Sequence, residues 1–202
     1  MVNSAHPTKT ALIKVVVELM EFLPAGEITT EMVLEKSGIS KGSLYHHFSD
    51  FPELIEAGLL VRYAKFVDSS IDMMTNILTH SKTVSQIREG LHVVTEVTQS
   101  LDRQSIRVER ANVIVMAAVN ERFGKLLALE QQRLTDAITD LAREAQERGL
   151  FKKDFSPHAI AVFIQSYSLG KIIDDVVPNK VDQEEWNHFT NLIIDKVYLA
   201  AE

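Results

Sequence analysis

The chain has 202 residues, 46% apolar and 24% charged, the composition of an ordinary globular protein with enough apolar mass for a real core. It contains no cysteine, which excludes disulfides and thiolate chemistry, and no apolar run approaches the ~18 residues of a membrane-spanning helix. Net charge is −7, and residues 1–66 carry six basic against eight acidic side chains, so a nucleic-acid contact must arise from how charge is distributed rather than from its sum.

Residues 1–8, with Asn3, Ser4, His6 and Pro7, read as a polar, mobile start. Leu12, Val15, Val16, Leu19, Met20 and Leu23 then follow helical spacing up to the stop Pro24-Ala25-Gly26. Three consecutive valines there would also suit a strand, but the length and the stop favour helix. Residues 29–48 predict two short helices around the turn Gly38-Ile39-Ser40. Gly38 supplies the left-handed residue that ends the first, and Ser40 an N-cap for the second. Val33, Ile39, Leu44 and Phe48 provide the apolar contacts of a helix-turn-helix, whose second helix enters the major groove in DNA-binding proteins. Asp50 and Glu53 have capping-box spacing ahead of a long helix to about residue 79, in which Gly58 is the weak point.

Further helices are expected at about 84–101, 105–119 and 120–148. The last is closed by Gly149, with Arg143 and Arg148 near its C-terminus, where cations are favoured. Ser156-Pro157 opens another, running to Pro178, and Asp182 or Gln183 opens the last. No period-two run appears, so the fold class is all-α.

The string GISKGSLYHHF closely resembles the signature of the TetR family of bacterial one-component regulators, with Gly38, Ile39, Ser40, Gly42, Leu44, Tyr45, His47 and Phe48 at matching places. The resemblance covers about residues 10–54. It implies an N-terminal three-helix DNA-binding domain, residues 1–50, and a helical ligand-binding and dimerisation domain, residues 51–202. Two departures stand out. Phe51 occupies the place of a lysine that contacts DNA backbone, and Leu34 the place of an alanine.

Within the motif, Ser40, Lys41, Gly42, Ser43, Tyr45 and His46 are the expected DNA contacts, with Thr29 and Thr30 donating to phosphate from the preceding helix. His46 and His47 point about 100° apart on a helix and cannot easily share a metal, and the other histidines lack ligand spacing; no metal or cofactor is expected. His92, Glu96, Arg107, Glu109, Asn112 and Gln165 are polar interruptions of apolar middle helices, candidates for a pocket accepting an apolar or aromatic effector. His92, Glu96, Asn112 and Gln165 are taken as the ligand set. Each also fits an ordinary solvated helix position. The resemblance further implies that the last two helices pair across a two-fold axis, placing Phe163, Tyr167, Phe189, Leu192 and Ile193 in a homodimer interface.

No GxSxG, HExxH, P-loop or paired-carboxylate constellation supports an enzyme, and Asp174-Asp175 reads as a solvated helix end. The leading expectation is a cytoplasmic homodimeric repressor that binds a palindromic double-stranded DNA operator and releases it on binding a small molecule. The alternative is an architectural or partner-regulated DNA-binding protein without a sensor, which a solid middle core would favour.

Overall fold

The computed structural model describes residues 6–201, and its regular elements are helices. The expected mobile start lies outside the described residues up to position 5, whereas His6, Pro7 and Thr8 are built into the capped start of a helix. The chain folds as two compact units, one ending at Phe66 and the other beginning at Val67.

The first unit is built from α1 (Pro7–Leu19), α2 (Thr30–Ser37), α3 (Lys41–His47) and the first part of α4 (Phe51–His80). Helix α1 starts earlier than the apolar pattern indicates. His6 caps it through Nδ1, which accepts the Thr8 N–H at 3.3 Å, and Pro7, with φ already helical, occupies the first turn. Leu12, Val16, Val33, Leu44, Phe48 and Leu54 are buried together, each side chain contributing roughly 1.5–3 kcal/mol. The capping box ahead of α4 forms: Asp50 Oδ1 accepts the Glu53 N–H, and Glu53 Oε2 accepts the Ser49 N–H, both at 2.7 Å. Gly58 lies where α4 crosses α1, and a Cβ there would sit 2.6 Å from Val16 Cγ1. The helix accepts a poor helix former because only a residue without a side chain fits.

The second unit contains the rest of α4, then α5 (Val84–Gln99), α6 (Gln104–Val119), α7 (Glu121–Glu147), α8 (Pro157–Gly170), α9 (Ile172–Asp175) and α10 (Gln183–Ile193). Its core gathers Leu78, Ile87, Ala142, Ala145, Leu150, Phe151, Ile160, Ile194, Tyr198 and Leu199. Gly149 ends α7 in the left-handed region at φ 72°, and the Leu150 and Phe151 N–H groups both donate to Ala145 O. Phe151 then pairs with Leu199 in a single antiparallel bridge. Lys152 N–H donates to Tyr198 O at 2.8 Å and Ala200 N–H to Leu150 O at 3.0 Å.

Several expectations are revised here. The helix expected to run unbroken to Pro178 breaks at Lys171, between α8 and α9. Asp175 is not a solvated helix end. Its side chain is fully buried against Arg107, whose Nε and Nη2 donate to the two carboxylate oxygens at 2.5 and 2.7 Å. Nη1 of the same guanidinium donates to the carbonyls of Thr98 and Ser100, at 3.0 and 3.1 Å, where α5 ends. Arg107 is therefore a structural tie between α6, the end of α5 and α9 rather than a solvated or pocket residue. Lys171, also buried, pairs with Asp174 and lies over the Trp186 ring at 5.6 Å. Finally, Arg148 does more than face its own helix dipole: besides bonding Glu144, it donates to the carbonyls of Leu78 and Ser81, closing the end of α4.

Candidate nucleic-acid interface and small-molecule groove

The two helices of the motif are held by caps at both ends of their turn. Thr29 Oγ1 accepts the Met32 N–H at 3.3 Å, which accounts for Thr29 as the N-cap of α2. Gly38, at φ 65°, ends α2 with its N–H on Leu34 O at 2.9 Å. Ser37 Oγ accepts the Ile39 N–H at 3.1 Å and stiffens the turn. Ser40 Oγ accepts the Ser43 N–H at 3.2 Å and lies 3.0 Å from Ser43 Oγ. With Leu44 and Phe48 buried beneath, the opposite face of α3 has Ser40, Lys41, Gly42, Tyr45 and His46 exposed and Ser43 half-buried. Tyr45, 43% exposed, is not a core aromatic.

Surrounding charges are partly committed. Lys36 pairs with Glu18 at 3.2 Å and Lys14 reaches the same carboxylate at 3.9 Å. Lys9 lies over the Phe48 ring at 5.1 Å. His47 packs against His6, ring centroids 4.5 Å apart, and edge-on to His46 at 5.1 Å. Partial desolvation, then the neighbouring His6, His46 and Lys9, hold the His47 imidazole below its ordinary pKa. Three imidazoles thus cluster at one edge of the exposed α3 face. Phe51 is half-buried at the start of α4, and Leu34 is half-buried in α2.

In the second unit the four expected ligand residues do not converge. His92 Nε2 meets Asp195 Oδ1 at 2.9 Å, with Arg88 on the same oxygen at 3.5 Å. Glu96 and Asn112 are exposed. Gln165 lines a groove of about 430 Å³ between α6, α7 and α8, which also includes Arg110, Gln131 and Thr135. Gln131 Nε2 donates to Gln165 Oε1 at 2.6 Å, and Gln165 Nε2 donates to Thr135 Oγ1 at 3.2 Å. Sequence reasoning missed Arg110, Gln131 and Thr135. Their signal was there: Gln131 and Thr135 stand at i, i+4 on the stripe that also carries Leu127, a polar pair interrupting an apolar face. The middle of the body holds a second, wholly apolar cavity of about 50 Å³, lined by residues such as Ile87, Leu91, Ile138 and Phe151.

Of the residues expected at a subunit interface, Phe163, Phe189 and Leu192 are exposed, while Tyr167 and Ile193 are half-buried. Tyr167 Oη lies 3.3 Å from Thr95 Oγ1, and its phenol is pushed up by burial. Among the described residues no helix is long and apolar enough to cross a membrane, and no group of three or more His, Asp or Glu side chains is placed to hold a metal ion.

The architecture defines a class: an all-helical protein with an N-terminal helix-turn-helix and a larger helical C-terminal unit. Its fold is that of the TetR family of transcriptional regulators. The chain superposes on a protein from Mesorhizobium loti assigned to that family with a TM-score of 0.70 at 14% identity, covering 96% of this chain and 97% of the other. A transcriptional regulator from Saccharomonospora viridis, solved in complex with choline, matches with a TM-score of 0.66 at 14% identity, over 96% and 98% of the two chains. Salmonella enterica GusR matches at 0.63 and 13% identity, over 96% of each chain. In sequence the chain is 21% identical over 182 residues to the HTH-type transcriptional regulator UidR of Escherichia coli K12, spanning 86% of this chain and 84% of that protein. No family model matches the sequence.

Proposed function

We propose that the protein is a DNA-binding transcriptional regulator, acting as a homodimeric repressor on a palindromic operator and releasing it when a small molecule occupies the body. The observation that carries this reading is the exposed face of α3, capped at Ser40 and presenting Lys41, Tyr45 and His46 over a buried Leu44–Phe48 anchor. In this reading α3 enters the major groove. Ser40, Lys41, Gly42 and Ser43 reach phosphates and base edges at its N-terminus, Tyr45 and His46 reach backbone, and Thr30 supports from α2. Residues 1–50 act as the DNA-binding domain and 51–202 as the effector and dimer domain. The exposed apolar side chains Phe163, Phe189 and Leu192 support pairing of two copies through α8 and α10.

A dimer with two-fold symmetry places its two α3 helices in successive major grooves, about 34–36 Å apart, and an effector that prefers a different spacing shifts the protein off DNA. The effector site in this reading is the α6–α7–α8 groove, whose volume falls within the about 300–1,000 Å³ of small-molecule sites. The small size of the central cavity favours a second reading, a DNA-binding protein regulated by a partner rather than by a small molecule. Mobility-shift assays with genomic fragments at low salt test the first part: sequence-specific retardation is expected, and uniform, salt-sensitive smearing with every fragment would defeat it.

A further inference from the structure

The α6–α7–α8 groove is amphipathic along its length. Helices α6 and α7 run antiparallel from the turn at Asn120 and touch backbone to backbone near it, where a Cβ on Gly124 would lie 2.6 Å from Ala117 O. Two helical turns from that contact, Arg110 on α6 comes level with Gln131 on α7. The hydrogen bond from Gln131 to Gln165 fixes the same level on α8. One end of the groove therefore gathers Arg110, Gln131, Thr135 and Gln165. The other, toward the Asn120 turn, is lined by Ile114, Ala117, Leu127, Ala128 and Leu169. The lining contains one charged side chain, the Arg110 guanidinium, and no Asp or Glu. Beyond the contact at Gly124, Ala128 presents only a methyl to the apolar end of the groove.

We infer that this groove binds an amphipathic carboxylate, its head against Arg110 and the Gln131–Thr135–Gln165 cluster and its apolar body over Leu127, Ala128 and Leu169. A guanidinium stays charged at any working pH and presents several N–H donors in a plane that matches a carboxylate. A cationic head would be repelled by that charge, and a neutral head would gain less from it. The inference deepens the effector reading above and rests on it only for the choice of groove.

Isothermal titration of the full chain with octanoate and 2-naphthoate, against octanamide and octylamine, tests it. Saturable binding of the acids is expected, at least about tenfold tighter than the amide, with the amine weakest. Arg110→Met is expected to bring acid and amide to equal affinity. Ala128→Phe should abolish binding of both while the helical circular dichroism is kept. Because the acid–amide comparison is made on the unaltered protein, it does not depend on a variant folding. Equal affinity of acid and amide, or no binding of either, overturns the inference. So does carboxylate affinity that falls as protein concentration rises, which would give the groove to a second copy of the chain. Carboxylate binding that leaves specific DNA bound would remove the effector role and leave the inference standing; DNA release by neutral ligands, unchanged in Arg110→Met, would do the reverse.

Discussion

Replacing Arg107 with Met should be among the most damaging single changes to this chain. Arg107 is 2% exposed and makes four hydrogen bonds, two to the Asp175 carboxylate and two to the carbonyls that end α5. Methionine fills much of the volume, so the cavity term is small. What remains is a carboxylate buried without its cation and two carbonyls without donors. Breaking one side of a buried pair costs about 3–5 kcal/mol. For a chain of this length a kilocalorie shifts the melting temperature by about 2–4 °C, so the variant should melt roughly 6–20 °C lower. The double variant Arg107→Met, Asp175→Leu removes both charges and should recover most of that loss, because an apolar pair of similar volume avoids the desolvation that the ion pair must offset. Thermal unfolding followed by circular dichroism, at one fixed protein concentration, measures all four corners of the cycle. A single variant losing under about 1 kcal/mol, or a double variant no better than the single, would refute the reasoning.

Gly58→Ala should destabilise, although alanine is the better helix former by about 1 kcal/mol, because its methyl meets the stiff Val16 side chain; Val16→Ala in the same chain should relieve the clash, and a Gly58→Ala protein more stable than wild type would dismiss it. Ser40→Ala removes the α3 cap and should cost ~1 kcal/mol in urea unfolding, whereas Lys41→Ala should leave stability unchanged and lower both DNA affinity and its salt dependence by about one phosphate contact. If Lys41→Ala leaves the salt slope untouched, Lys41 does not face phosphate. His47 should titrate by NMR below the ~6.5 of a free imidazole, and His6→Gln should raise it. Since the folded value is the lower one, the His47 contribution to stability is intact above the unfolded pKa and is lost as pH falls toward the folded value. DNA phosphates should move that midpoint up, and a midpoint insensitive to His6 would dissolve the cluster.

What sequence could disclose differed between the two units for a physical reason. Caps and turn glycines act within a few residues, so Gly38, Ser40, the Asp50–Glu53 box and Gly149 announced themselves and stood where expected. The apolar stripe of α7 was legible for the same reason, since periodicity is local, but on α5 and α6 the buried faces carry Thr95, Gln99, Arg107 and Arg110 while Val97 and Leu101 are exposed. Partners distant in sequence were not. Arg107 and Asp175 are 68 positions apart, and nothing near either marks it as buried. The break at Lys171 coincides with that pairing and with the packing of Lys171 over Trp186, both distant in sequence, so an unbroken helix was the natural local reading. The groove lay between these cases. Gln165 was visible as an interruption, and Gln131 with Thr135 on the α7 stripe, but Arg110 gained meaning only once the Asn120 turn set α6 against α7.

The short bridge between Phe151 and Leu199 has a consequence for how the molecule is dismantled. Tyr198 and Leu199 sit in the core of the body, and the Lys152 and Ala200 amides fasten that segment to the α7–α8 connection. Undoing this clasp draws two core side chains into water along with the backbone bonds. Resistance of this segment to proteolysis should therefore track the stability of the whole body.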